Sequence, residues 1–284
     1  MSSLTSKVFW SNYGYLGTST VLSGEIDQFF VDILEPKCAL VRDIGDRYKS
    51  CLSTHPLHST IDLKLAREQH STYCKILQEL GLEIIRVPGD NEHPDSVFVE
   101  DNAVVHGGKA LICRMAKTSR RGEETGVEGI LRQYVEVKYA VSPATVEGGD
   151  VVHLPDKLIS GISQRTNLEG IAQMHEWLGV PVATIFDPGI MHLKSYVTYL
   201  GNRIMIATER YAHHPALEGF QILIPPGKDE YAADTLAVGD TVLMANGYPD
   251  AHKMVEEAGF DVIVLNVSEI QKCDGALTCM SVLF

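Results

Sequence analysis

A thiol, an imidazole and several carboxylates recur along this sequence at nearly even spacing. Glu100 and Asp101 close the segment Asp-Ser-Val-Phe-Val-Glu-Asp (95–101), and Glu147 opens Glu-Gly-Gly-Asp (147–150). His192 opens His-Leu-Lys (192–194), and Cys279 lies five residues before the terminal Phe284. Counted from Glu100 the intervals are 47, 45 and 87 residues, so the last is close to twice the others. A thiol with its usual pKa near about 8.5 needs help to react as a thiolate at neutral pH. An imidazole exchanges protons in the right range, and a carboxylate such as Glu147 can orient its ring. Two adjacent acids in an apolar strand are costly unless a cation sits between them. A planar guanidinium suits that place, because its N–H groups pair with carboxylates in a fork, and its charge would favour the thiolate.

Taken singly, each group has an ordinary explanation. A buried cysteine usually only packs, His192 after Met191 could be a satisfied core histidine, and Glu-Gly-Gly-Asp could be a solvated turn. Asp95 and Asp101 could cap or bridge at strand ends. The common phase of the four segments is what argues for a site. Arg120-Arg121 reads as a solvated helix entry. His213-His214 has no third ligand at a sensible spacing and reads as a loop.

The elements that must carry these residues repeat too. Strand, tight turn, strand, helix, strand is legible four times. The first copy has a hairpin within 97–115 turning at Gly107-Gly108, a helix near 122–133 and a strand at 135–141. The second has strands flanking Pro155-Asp156, a helix near 166–178 and a strand at 180–186. The third turns at Gly201-Asn202, has a weaker helix and ends in a strand at 220–224. The fourth turns at Gly239-Asp240, with a helix near 249–258 and a strand at 260–267. Glycine pairs of this kind are strong hairpin signals, since primed turns need positive φ. The hairpins start about 40–55 residues apart, a spacing typical of repeat arrays. The set 38–41 (strand), 61–80 (amphipathic helix) and 83–87 (strand) lacks one hairpin strand. The C-terminal run 277–284 lacks a partner, and pairing the two completes a fifth unit and closes a ring without open edges. The expected fold is α/β, a five-module propeller of strand-strand-helix-strand units. Residues 37–284 would form a single catalytic domain. Residues 1–36, with Trp10, Tyr13, Tyr15, Phe29 and Phe30, would form an extension packed on it.

Composition narrows the partners. With 24 basic and 37 acidic residues the net charge is −13, which disfavours nucleic acid and anionic membranes and suits a small cationic substrate. The start of the chain lacks a signal-peptide pattern, and no apolar run is long enough to span a bilayer. Cysteines at 38, 51, 74, 113, 273 and 279 form no CxxC pair, which reads as free thiols in a cytoplasmic protein.

Asp-Ser-Val-Phe-Val-Glu-Asp (95–101), Val-Glu-Gly-Gly-Asp (146–150), Arg-Thr-Asn-Leu-Glu-Gly (165–170), Met-His-Leu-Lys (191–194) and the tail Asp-Gly-Ala-Leu-Thr-Cys-Met-Ser-Val-Leu-Phe resemble the dimethylarginine dimethylaminohydrolase family. That family belongs to the guanidine-modifying superfamily, with arginine deiminases and amidinotransferases. The likeness covers about 38–284. It implies a five-module propeller and hydrolysis of Nω-methylated arginine to citrulline and dimethylamine or methylamine, with no cofactor and no metal. It implies Cys279 as nucleophile, His192 as acid and base, and Glu147 as its support. Asp101 with Glu100 would hold the guanidinium, Arg114 and Arg165 the α-carboxylate, and Asp95 and the backbone at Cys273 the α-amino end. Leu52, in the loop 48–60, matches a lid residue across a one-residue gap.

Three features depart from the family pattern. Met115-Ala116-Lys117 stands where Pro-Gly often follows the arginine, Cys273 replaces a branched aliphatic residue, and 1–36 is a longer start. The segment 1–36 could cover the cavity or make an oligomer contact, and a homodimer is a possible state. Cys273 and Cys279 are close enough in sequence to suggest oxidative pairing or zinc inhibition. Free arginine or another substituted guanidine is the nearest alternative substrate. A non-catalytic guanidino amino-acid sensor is the alternative class, and it would not need Cys279 or His192.

Overall fold

Five small sheets of three strands organise the chain. They come from a computed structural model, which describes residues 36–284. The expectation for 1–36 lies, except for Pro36, outside the described residues. The strands are β1 (Cys38–Arg42), β2 (Glu83–Val87), β3 (Ala103–His106), β4 (Lys109–Ile112), β5 (Glu136–Tyr139), β6 (Val151–His153), β7 (Leu158–Ile162) and β8 (Val182–Phe186). They continue as β9 (Val197–Gly201), β10 (Ile204–Ala207), β11 (Gln221–Leu223), β12 (Leu236–Val238), β13 (Thr241–Ala245), β14 (Asp261–Leu265) and β15 (Val282–Leu283). The helices are α1 (Leu63–Glu79), α2 (Glu124–Leu131), α3 (Leu168–Leu178), α4 (Pro249–Glu257) and α5 (Ser268–Gln271).

In each sheet the middle strand pairs antiparallel with one neighbour and parallel with the other. For β3-β4-β5 the register runs Ala103↔Ile112 and Ile112↔Tyr139. Gly107 and Gly108 take φ of 56° and 76° in the hairpin turn, which side-chain-bearing residues rarely adopt. The helices between the parallel strands have ordinary sequence causes. Asp62 caps α1 by accepting from the N–H groups of Lys64 and Leu65 at 2.9 and 3.2 Å. Asn167 caps α3 through Gly170 N at 2.9 Å, and Gly179 ends it with φ 70°.

The fifth unit is built from the two ends of the described residues. β1 runs parallel to β2 and antiparallel to β15, with Ala39↔Leu283 and Leu40↔Val282 in register. Phe284 N donates to Cys38 O at 3.0 Å, and Phe284 O accepts from Lys37 N and Cys38 N at 2.9 and 2.8 Å.

Two expectations are corrected. The weaker helix of the third unit is a 3-10 turn, Pro215–Leu217, ended by Gly219 at φ 87°. The C-terminal run is strand only at Val282–Leu283, because Thr278–Met280 forms a 3-10 turn. The Thr278 hydroxyl there is drawn to two buried carboxyls (Glu100 and Asp234, both at 3.0 Å), which takes this stretch off the ladder.

The apolar core is divided, and each part straddles two consecutive sheets. Val104 and Leu111 pack with Val151, Leu158 and Met174 of the next unit. Val152 and Ile159 pack with Val197 and Met205. Ile206 packs with Val242, Met244 and Val255. Leu243 and Leu265 pack with Val41, Tyr73 and Leu77. Leu40 and Val282 pack with Val105, Ile112 and Leu131, which returns to the first sheet of the series. Among the described residues, no helix is long and apolar enough to cross a membrane.

Candidate active site

Each candidate segment lies just before the first hairpin strand of its unit. Glu100 and Asp101 lie in the turn Val99–Asn102 before β3, and Glu147 stands at the N-cap of Gly148–Asp150 before β6. His192 lies shortly before β9, and Cys279 lies in Thr278–Met280 before β15. The glycines of Glu-Gly-Gly-Asp are required by space. A Cβ on Gly148 would lie 2.0 Å from the Glu100 carbonyl oxygen. One on Gly149 would lie 2.7 Å from Asp101 Oδ1 and 2.8 Å from the His192 ring.

His192 Nε2 is 2.9 Å from Glu147 Oε2 and 3.5 Å from Asp101 Oδ1. Glu147 is fully buried, and its other oxygen accepts from Ala116 N at 3.0 Å. Burial alone would push the His192 pKa down. The Asp101 charge, the Glu147 hydrogen bond and the Asp150 charge outweigh it and lift the imidazole to about 9. Burial likewise opposes ionisation of Asp101 and Glu147, but His192 and Arg120 keep both carboxyls below their usual range. The resting imidazole is therefore an imidazolium at neutral pH.

Cys279 is partly exposed. Burial of its sulfur, followed by the charges of Asp234, Glu100 and Asp101, raises its pKa well above the ordinary thiol value. The ligand-free thiol is protonated.

The two adjacent acids already have cations from the chain itself. Lys194 Nζ lies 2.5 Å from Glu100 Oε1. Arg120 NH1 lies 2.7 Å from Asp101 Oδ2, while its Nε and NH2 bind Glu123 at 3.0 and 2.7 Å. This corrects the reading of Arg120 as solvated. Its side chain is buried among three carboxylates, since Glu147 Oε2 is also within 3.9 Å. Arg121 is the exposed member of the pair.

Arg165 is buried, with NH1 3.5 Å from Glu147 Oε2, and its Nε has no partner among the described residues. Arg114 is half-buried and donates to Ala144 O at 2.9 Å. Asp95 accepts the Leu52 N–H at 3.0 and 3.3 Å, and burial raises its carboxyl pKa. Leu52 is 41% exposed on the loop that runs from Tyr48–Ser50 to His58–Thr60.

The expectation of free cysteines fails at one pair. Cys51 and Cys273 form a disulfide across 222 residues, with Cα atoms 6.0 Å apart, so Cys273 pairs with the loop and not with Cys279. Ser53 Oγ donates to Lys272 O at 2.9 Å and Thr54 N to Asp274 Oδ2 at 2.6 Å, so the loop is laced to the same segment. Cys51, His58 and Cys273, and separately Asp101, Glu147 and His192, present donor atoms within 4.8 Å of one another. Arg120 and Arg165 already sit on the carboxylates of the second group. His213-His214 is a loop, as read from spacing.

Reading by residue type missed Arg120, Glu123, Thr278 and Asp234. Asp234 had a signal. It precedes β12, and it divides the long gap between His192 and Cys279 into steps of 42 and 45 residues.

Comparison with known proteins places the chain in a family. A family profile described as "N,N dimethylarginine dimethylhydrolase, eukaryotic" matches residues 52–213. An N(G),N(G)-dimethylarginine dimethylaminohydrolase of Pseudomonas aeruginosa is 34% identical over 228 residues, covering 78% of this chain and 90% of that protein. One of Streptomyces coelicolor is 34% identical over 250 residues, covering 87% and 96%. A crystal structure of the Pseudomonas aeruginosa enzyme, a mutant complexed with citrulline, superposes with a TM-score of 0.85 at 32% identity, covering 88% of this chain and all of that one. The N-terminal domain of ArgZ, an arginine dihydrolase from cyanobacteria, shares the fold with a TM-score of 0.79 at 20% identity, covering 86% and 96%. The profile match spans the turns that bring Asp101, Glu147 and His192 together, and the chain belongs to the dimethylarginine dimethylaminohydrolase family.

Proposed function

We propose that this protein hydrolyses Nω-methylated arginine to citrulline and dimethylamine or methylamine, with Cys279 as the nucleophile. The observation that carries the reading is the contact of His192 Nε2 with Glu147 Oε2 at 2.9 Å, beside Asp101 at 3.5 Å. It supplies an imidazolium charged at neutral pH and oriented by a buried carboxylate. The resting thiol is kept protonated by burial and by three carboxyl groups, so a cationic substrate among those carboxyls would lower the thiol pKa as it binds. The Cys279 thiolate then attacks the guanidinium carbon and forms a C–S bond. The C–N bond to the methylated nitrogen breaks as His192 gives that nitrogen its proton. A water molecule, losing a proton to His192, attacks the remaining carbon. The C–S bond breaks as the second proton of that water passes to the departing sulfur, which releases citrulline and restores the thiol.

In this reading Asp101 and Glu100 hold the guanidinium through lone pairs not used by Arg120 and Lys194. Arg165, with an unpartnered buried Nε, and Arg114 hold the α-carboxylate. Asp95, Leu52 and the backbone at Cys273 meet the amino end. The sheets act as blades of a closed five-module propeller. The five apolar clusters that each join consecutive units support this, as does the β15–β1 pairing. Residues 37–284 then form one catalytic domain.

The test is citrulline release from dimethylarginine, monomethylarginine and arginine side by side. The methylated substrates should lead. Preference for free arginine would overturn the substrate and leave the chemistry. Cys279→Ser should lose turnover and keep binding, and a variant with full turnover would remove Cys279 as nucleophile.

A further inference from the structure

We propose that Asp234 is the fifth member of this site, a positioning residue that carries a proton and fixes Thr278 between itself and Glu100. The inference rests on the proposed thiol chemistry. Asp234 lies directly before Thr235 and β12, the place in its unit that Asp101, Glu147, His192 and Cys279 occupy in theirs. Its side chain is buried. The Thr278 hydroxyl lies 3.0 Å from Asp234 Oδ1 and 3.0 Å from Glu100 Oε2. A hydroxyl has one proton to give, and two ionised carboxylates can only accept. One of the two must therefore bring a proton of its own.

The charges around them say which. Glu100 has Lys194 at 2.5 Å, whose charge and hydrogen bond oppose the upward push that burial gives its carboxyl and favour its ionised form. Asp234 has no cation at hydrogen-bond distance among the described residues. The titratable groups facing it are Glu100 and Lys194 from the turns before β3 and β9, Tyr231 from the turn before β12, and Cys279 from the turn before β15. Burial, then the Glu100 charge, lifts its carboxyl to about 7. Protonated Asp234 donates to Thr278, which donates to Glu100. The residue next to the nucleophile is thereby pinned. Ionised Asp234 would lose that donation and set a negative charge against the thiol.

Asp234→Asn keeps a hydrogen donor and cannot ionise, while Asp234→Ala loses both properties. At pH 6.5 the Ala variant should lose kcat by tenfold or more with a smaller change in KM, and Asn should recover much of that loss. From pH 6.5 to 8.5 the ratio of kcat/KM, Asn over wild type, should rise by threefold or more. A second readout needs no substrate: alkylation of Cys279 by iodoacetamide, followed by mass on its own peptide. The alkylation profile of the Asn variant should lie at lower pH than that of wild type. If wild type releases no citrulline, the functional reading fails while the alkylation arm still judges Asp234. Parallel pH profiles in wild type and Asn, or an Asn variant as impaired as Ala, overturn the proposal. Thr278→Val guards against misfolding. Combined with Asp234→Ala it should cost little more than either change alone, and additive losses count against the chain of hydrogen bonds.

Discussion

His192 shows how far a single side chain is governed by its neighbours. Its pKa of about 9, against an ordinary 6.5, means that the folded state binds the proton more tightly than the unfolded chain does. The stability this contributes is complete below about pH 6.5 and is lost as pH rises through about 9. Glu147→Gln should weaken that hold, so the alkaline fall of kcat should move to lower pH. An unchanged profile would remove Glu147 as the support. His192→Ala should cost about 10²–10⁴-fold in kcat, because in the proposed mechanism both proton transfers pass through it. A Glu147→Gln loss larger than this would reverse the assigned roles. These residues were legible because type and phase coincided. Arg120 was not, since two adjacent arginines in a polar stretch look like a solvated turn. Its environment comes from Asp101, Glu123 and Glu147, and only folding brings Asp101 and Glu147 to it. Arg120→Ala would leave those carboxylates uncompensated, and a loss of about 3–5 kcal/mol is expected in chemical denaturation.

At the scale of elements, hairpins and helices were readable because Gly107-Gly108, the Asn167 cap and Gly179 are local signals. The turn at Thr278–Met280 was not, because its cause is a contact with Glu100 and Asp234 from other units. The Cys51–Cys273 link was hidden for a similar reason, since 222 residues separate partners that no spacing rule connects. That link fastens the loop bearing Leu52, whose N–H binds Asp95, to the segment leading to Cys279. Replacing both cysteines by alanine should lower stability by about 2–4 kcal/mol. It should also raise KM more than it lowers kcat, because the loop sits at the expected amino end of the substrate. Kinetics identical to wild type would show that the loop needs no tether. Gly148→Ala tests the close approach of two turns. Its Cβ would meet the Glu100 carbonyl at 2.0 Å, so the turn must move and kcat should collapse.

At the scale of the whole molecule, one geometric rule accounts for the site. Each sheet enters from a turn before its first hairpin strand, and the residues proposed to do the chemistry lie on those turns. The repeat was legible from the spacing of hairpins, and the fifth unit from two fragments that each lacked a partner. The segment 277–284 therefore both completes the sheet of β1 and carries Cys279, the proposed nucleophile. β15 gives β1 its antiparallel neighbour, and Phe284 satisfies backbone groups of Lys37 and Cys38. Removing residues 282–284 would expose those groups and the edge of β1, and would cut the anchor that follows Cys279. The Tyr73 hydroxyl, 2.7 Å from Ser281 Oγ, the Thr278 contacts with Glu100 and Asp234, and the buried Met280 would still hold that end. The shortened chain should keep most of its far-UV dichroism, since the other four sheets are complete, but lose thermal stability and turnover together. Turnover at the wild-type level well below the melting temperature would show that the β15–β1 pairing does not position Cys279.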